Sequence, residues 1–168
     1  CSFYSDMQAF GKAAGVLRTA LPRFSDPGDR RRLTLWLADA EYRQGSTDEA
    51  LRTLGELAEQ HPGDIQLYRQ LLKMGRKTAP VEQLRDWIDR IRQVEGEGRR
   101  QHRFEEAYLL YERGDFQKEY PRIVSLLTET LRRYPEDQAS RVLLAAAHQQ
   151  TGNLRLAALK PEIRKVFE

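Results

Sequence analysis

The sequence predicts an all-α fold of stacked antiparallel helix pairs, about nine helices in all. Three observations predict it. First, an alanine is followed seven positions later by a glycine three times, at Ala38/Gly45, Ala107/Gly114 and Ala145/Gly152, and Ala50 and Ala157 follow two of those glycines five positions on. Second, turn-forming clusters punctuate the chain at Ser25–Asp29, His61–Asp64 and Tyr134–Asp137, each holding a proline. Third, apolar residues between these marks recur at i, i+3 and i+4, the spacing of a buried helix face. Strand-like stretches are hard to find.

The segment from Phe3 to Leu21 carries Phe3, Met7, Phe10, Ala14, Leu17 and Leu21 on one side, and Pro22 ends or kinks it. It reads as half of a helix pair. The next pair organises the rest. Its first helix runs from about Asp29 to Gln44 with Leu33, Leu37 and Ala40 on the apolar side and Trp36 as a further candidate for it. Its second runs from about Thr47 to His61 with Ala50, Leu51, Leu54, Leu57 and Ala58. Ala38 and Ala50 let the backbones approach, Gly45 suits a left-handed helix end, and Ser46 or Thr47 caps the helix that follows. Pro62 stops that helix, and Asp64 is placed to cap the next.

The second pair has Leu67, Tyr68, Leu71, Leu72 and Met74, a break near Gly75 to Thr78, then a helix from Pro80 bearing Leu84, Trp87, Ile88 and Ile91. Glu95-Gly96-Glu97-Gly98 reads as a flexible joint. The third pair has Phe104, Ala107, Tyr108, Leu110 and Tyr111, then a helix from about Glu119 to Tyr134 with Pro121 in its first turn. The fourth repeats the alanine-glycine spacing, and its last helix, Leu154 to Phe167, meets Pro161. The second pair diverges most, because it lacks the small residues.

A unit of about 34 residues with Leu37-Ala38, Gly45, Ala50, Leu54, Leu57 and Pro62 in these positions resembles a tetratricopeptide repeat. The resemblance covers about residues 29 to 160. It implies one right-handed superhelical solenoid domain, with units at about 1–28 (partial), 29–64, 65–98, 99–137 and 138–168. In such stacks each hairpin has too little core alone and neighbours bury one another. One position departs from the family pattern: Thr34 stands where an aromatic is expected, four residues before Ala38, with Trp36 two further on.

Composition excludes several function classes. Charged residues make up 32% of the chain, yet the net charge is only +3, which describes a solvated helical surface rather than a polyanion-binding arm. Nucleic acid is therefore an unfavoured partner. No apolar run is long enough for a transmembrane helix. His61, His102 and His148 lie in separate units without metal-ligand spacing, so no metal and no cofactor are expected. The histidines read as a helix-end residue (His61) and two surface or half-buried ones. Glu105-Glu106 and Asp86/Asp89 are the carboxylate pairs that any highly charged helix produces. Phosphate loops and nucleophile motifs are missing, which points away from an enzyme.

Cys1 is the single cysteine, so an intrachain disulfide is ruled out. A chain opening on Cys-Ser is read in two ways: as a piece of a longer protein, or as a processed bacterial lipoprotein with Cys1 as the lipid-attachment residue. Localisation follows the choice, cytoplasmic or periplasmic in general, anchored at the outer membrane if Cys1 is lipidated.

What remains is a surface. The resemblance implies that the first helix of each pair lines a concave groove, which would present Arg32, Trp36, Asp39, Tyr42 and Arg43 from the first pair. Arg69, Lys73, Arg76 and Lys77 recur at i, i+4, i+7 and i+8 in the second pair, and Tyr108 and Tyr111 come from the third. Such a basic-aromatic groove suits an extended acidic peptide, because guanidinium forks pair carboxylates and tyrosines give contact area at low entropy cost. The plainer reading makes the cations a solvated face and the aromatics core between units. Departures at Arg32, Leu35 and Asp39 argue against the chaperone-type carboxylate clamp of some family members. The expected function is a non-catalytic scaffold for protein–protein interaction. The alternatives are an outer-membrane lipoprotein or structural subunit of a bacterial secretion or assembly machine, and nucleic-acid or polysaccharide binding through the basic-aromatic groove.

Overall fold

A computed structural model describes the backbone of residues 2–152 and the side chains of residues 7–152. The described chain is all-α. Its helices are α1 (Ser2–Ala20), α2 (Pro27–Arg43), α3 (Thr47–Gln60), α4 (Ile65–Gly75), α5 (Val81–Glu95), α6 (Gln101–Arg113), α7 (Phe116–Arg133) and α8 (Gln138–Gln150). A 3-10 turn at Leu21–Arg23 follows α1. Pro22 thus ends the first helix rather than kinking it. The ninth helix expected over Leu154 to Phe167 lies outside the described residues, as does Cys1. Among the described residues no helix is long and apolar enough to cross a membrane.

The chain divides into two compact units, Cys1–Arg90 and Ile91–Glu168, with the boundary inside α5. In the first unit α1 packs on α2, α2 on α3 and α3 on α4. Its core holds Leu37, Leu54, Leu57, Leu67, Leu71 and Leu84, with Ala38 and Ala50 fully enclosed. These are the apolar positions the helical periodicity selects. The two alanines remove the bulk that would otherwise separate paired helices. Gly45 sits at φ 97° between α2 and α3, a left-handed conformation that side chains with a Cβ rarely adopt.

Two helix starts, those of α2 and α4, carry side-chain caps, with some shifts from expectation. Asp64 accepts a hydrogen bond from the Gln66 amide at 3.0 Å, as its position predicts. Ser25–Asp29, a turn by composition, is partly helix instead. Asp26 caps α2 by accepting from the Asp29 amide at 2.8 Å, and Pro27 takes the first helical position, where its fixed φ suits the helix. Ser46 occupies the cap position of α3 without making the capping bond; its hydroxyl accepts from the Gln44 side chain at 3.0 Å. The end of α4 has a steric constraint that the sequence pattern does not carry. A Cβ added at Gly75 would lie 2.9 Å from the Trp87 ring and 3.1 Å from the Ala79 side chain. The second pair therefore has its small residue, at the helix end rather than in the middle.

Helix α1 is locked to α2 and α3 by a polar contact inside the apolar layer. The Glu41 carboxylate, only 2% exposed, accepts from Arg18 at 2.8 Å and from the Thr53 hydroxyl at 2.8 Å. Arg18 also reaches Glu49 at 2.8 Å. The Arg18 pKa is raised, first by its hydrogen bond to Glu41, which outweighs the lowering by burial.

In the second unit α6 packs on α7 and α7 on α8 around Ala107, Ile123, Leu127, Leu143, Leu144 and Ala147. Gly114 ends α6 at φ −82°, not in the left-handed region; a Cβ there would meet the Leu110 carbonyl at 2.6 Å, so glycine is required by space. Helix α7 starts at Phe116, earlier than expected, with Asp115 at the cap position. Pro121 consequently lies beyond the first turn, where it has no N–H to give the Gln117 carbonyl. Both residues are exposed, so water can take the place of that bond. The Glu95–Gly98 joint, flexible by composition, is tied at both ends. Glu95 accepts the His102 amide at 2.6 Å, and Arg133 donates to the Gly98 carbonyl at 2.7 Å.

Two measurements test this packing. Arg18→Met leaves the enclosed Glu41 carboxylate uncompensated and should cost about 2 kcal/mol in urea melts, below the ~3–5 kcal/mol of a fully buried pair because half of the arginine is in water. The double variant Arg18→Met/Glu41→Leu should recover most of that loss. Gly75→Ala should destabilise by about 1–3 kcal/mol through overpacking on Trp87, whereas Gly55→Ala, whose Cβ would meet nothing within 4 Å, should stabilise α3 by roughly 0.5–1 kcal/mol.

Candidate functional site

The residues that the sequence assigns to a groove fall on helix faces of known exposure. On α2, Arg32, Trp36, Asp39 and Arg43 share one stripe at i, i+4, i+7 and i+11, as helical periodicity requires. Trp36 is 56% exposed and Tyr42 38% exposed, which puts both indole and phenol on the surface rather than in the core. The charges on this stripe are largely neutralised in place. Arg32 pairs with Asp29, Arg43 pairs with Asp39 at 2.7 Å, and the Arg43 guanidinium also lies 5.3 Å from the Phe10 ring centre.

Helix α4 differs. Arg69 and Lys73 are exposed on its face, Arg76 is half-buried at the helix end, and Lys77 is exposed just beyond it. Arg69 donates to the Gln66 side chain at 3.2 Å. Neither Arg69 nor Lys73 nor Lys77 has a carboxylate partner among the described residues. Arg31 of α2 makes an ion pair with Asp64, the residue that caps α4.

Tyr108 and Tyr111 belong to the second unit. Both are half-buried against the core of α6, α7 and α8. The Tyr108 hydroxyl donates to Glu112 at 2.7 Å, and Tyr111 meets Phe116 edge-on at 5.6 Å. Arg32, Trp36, Asp39 and Arg43 thus share a stripe on α2, Arg69 and Lys73 share a face of α4, and the two tyrosines belong to the packing of their own unit.

Two of the three histidines are engaged in structural bonds. His102 and His148, expected at or near the surface, are 2% and 6% exposed. The reason is specific pairing: the His102 Nδ1 lies 2.7 Å from Glu95, whose carboxylate can only accept, so Nδ1 carries the proton. The His148 Nδ1 lies 2.7 Å from the Tyr120 hydroxyl. His61 ends α3 and is exposed, as predicted. Of the neighbouring carboxylates, Glu105 is buried, and Glu106 takes Arg92 at 3.0 Å and Arg122 at 2.6 Å. Among the described residues no group of three His, Cys, Asp or Glu side chains is placed to hold a metal ion. Sequence reasoning missed Glu41 as a buried acceptor and Glu95 as a half-buried one. The available signal was a glutamate inside an otherwise apolar helix face.

Comparison with known proteins agrees with the repeat architecture. The family model described as tetratricopeptide repeat matches residues 31–74, from within the second turn of α2 to the last turn of α4. The chain therefore carries a tetratricopeptide repeat over these residues, which include most of α2 and all of α3. The solved structure described as MamA MSR-1 C2 superposes with a TM-score of 0.57 at 16% identity, over 98% of this chain and 90% of that one. A second solved structure, of a MamA point mutant, gives 0.54 at 16% identity, over 98% and 91%. At this identity the likeness is one of fold. No curated protein matches the chain.

With its indole on a free surface, Trp36→Ala should change stability by no more than about 0.5 kcal/mol, while Leu37→Ala beside it should cost about 2–5 kcal/mol. Urea melts followed by circular dichroism in the far ultraviolet separate the two.

Proposed function

We propose that the chain is a non-catalytic interaction scaffold whose α2 and α4 faces take an extended acidic segment of a partner protein. The helical-repeat fold supports protein partners in general. The finer reading is carried by one observation: α4 presents Arg69 and Lys73 on an exposed stripe, followed by Lys77, with no carboxylate among the described residues to neutralise them. Exposed like charges on one helix repel one another, so an incoming anion relieves a cost that the free protein bears. On α2, Trp36 and Tyr42 offer large, rigid contact area of the kind enriched at binding hot spots. Arg32, Asp39 and Arg43 frame this area as an internally neutralised border, which favours register over raw affinity. Arg76, half-buried at the end of α4, extends the same face.

A fluorescein-labelled octaglutamate peptide, with octalysine as the control, provides the test by anisotropy at low and moderate salt. Octaglutamate should bind and octalysine should not, with affinity falling as salt screens the exposed charges. Arg69→Glu/Lys73→Glu should weaken octaglutamate by at least about tenfold, or ~1.4 kcal/mol, with an unchanged helical spectrum. Equal binding of the two peptides, or an unaffected double variant, refutes the proposal.

A further inference from the structure

Two grooves in the first unit are the same groove repeated one unit apart. The first is bounded by Leu21 and Ser25 after α1, by α2 and by α3, and encloses about 570 Å³. The second lies among α3, α4 and α5 and encloses about 420 Å³. Their linings correspond at the family's period of about 34 residues: Leu37 matches Leu71, Thr34 matches Tyr68, and Thr53 matches Trp87. Where the second groove is filled from below by a tyrosine and a tryptophan, the first has two threonines. Both volumes lie in the range of small-ligand sites, but the first groove is the larger and lacks its aromatic filling.

The charges differ as well. Arg30, Arg31 and His61 line the first groove against Glu56, whereas Glu59 and Asp86 line the second against Arg90. Arg31 is engaged by Asp64, and Arg30 has no carboxylate partner among the described residues.

We infer that the first groove is a binding site for an aromatic side chain of a partner peptide, flanked by an acidic residue. The ring enters the space that Tyr68 and Trp87 occupy in the following repeat, over Leu21, Leu37 and Leu57. The carboxylate meets Arg30. Leucine walls supply the apolar contact, and the Thr34 hydroxyl, committed to the Arg30 carbonyl at 2.8 Å, presents its methyl group without an unmet hydrogen bond. This site is separate from the α4 cations and stands whether or not they bind octaglutamate.

The test uses fluorescein-labelled Gly-Asp-Phe-Asp-Gly and its Phe-to-Ala counterpart. The phenylalanine peptide should bind the whole chain about tenfold tighter than the alanine one. Thr34→Tyr restores the aromatic of the next repeat and should reduce that preference to within about twofold, with helicity unchanged. Should Thr34→Tyr lose its helical spectrum, Thr34→Leu fills less of the space and should still cut the preference. Arg30→Glu should weaken both peptides and keep the preference; Arg69→Glu/Lys73→Glu should leave it untouched. Equal binding of the two peptides to the unmodified chain, or a preference that survives in the filled variants, overturns the inference and leaves the groove a packing gap.

Discussion

Helix pairs in this protein close where side-chain bulk is removed. Ala38 and Ala50 are fully enclosed between α2 and α3, Ala107 between α6 and its neighbours, and Gly75 against Trp87. Close packing there brings the leucine rows of adjacent helices into contact, and contact between rows excludes water from a core that no single pair encloses. The exposed stripes of α2 and α4 follow from this. Once one face of either helix is committed to the core, helical periodicity fixes which residues face outward.

The apolar layers are not purely apolar. Glu41 is held by Arg18 and Thr53, and Glu95 accepts both the amide and the ring N–H of His102. Each carboxylate joins elements that are distant in sequence or separated by a joint, and directional bonds of this kind fix register more than they add stability. Among the described side chains no buried polar atom lacks a partner.

Much of the fold is legible in the sequence, because its determinants are periodic and local. The apolar rows, the proline marks, the Gly45 turn and the Asp64 cap each depend on a few neighbouring residues. The features that escape the sequence depend on space rather than pattern. Gly75 is small because Trp87 crosses it, Gly114 because of the Leu110 carbonyl, and His102 is buried because Glu95 reaches it. Pro121 reads as a first-turn proline because the cap at Asp115 carries no pattern that outranks it. Thr34 departs visibly from the family, but only the enclosed volume beside it gives the departure a meaning. The candidate surface is legible as a charge spacing on α4. Which of its cations are already paired is not, since pairing depends on side-chain geometry.

The chain's two tryptophans occupy opposite environments: Trp36 is 56% exposed on α2, and Trp87 is 7% exposed against Gly75. An indole in water emits at longer wavelength and is open to collisional quenchers such as iodide; one sealed in the core emits to the blue and is shielded. The molecule therefore carries a pair of intrinsic optical probes. One senses whatever settles on the α2 surface, the other the integrity of the α4–α5 pair, so occupancy and unfolding have separate fluorescence signatures without any added dye.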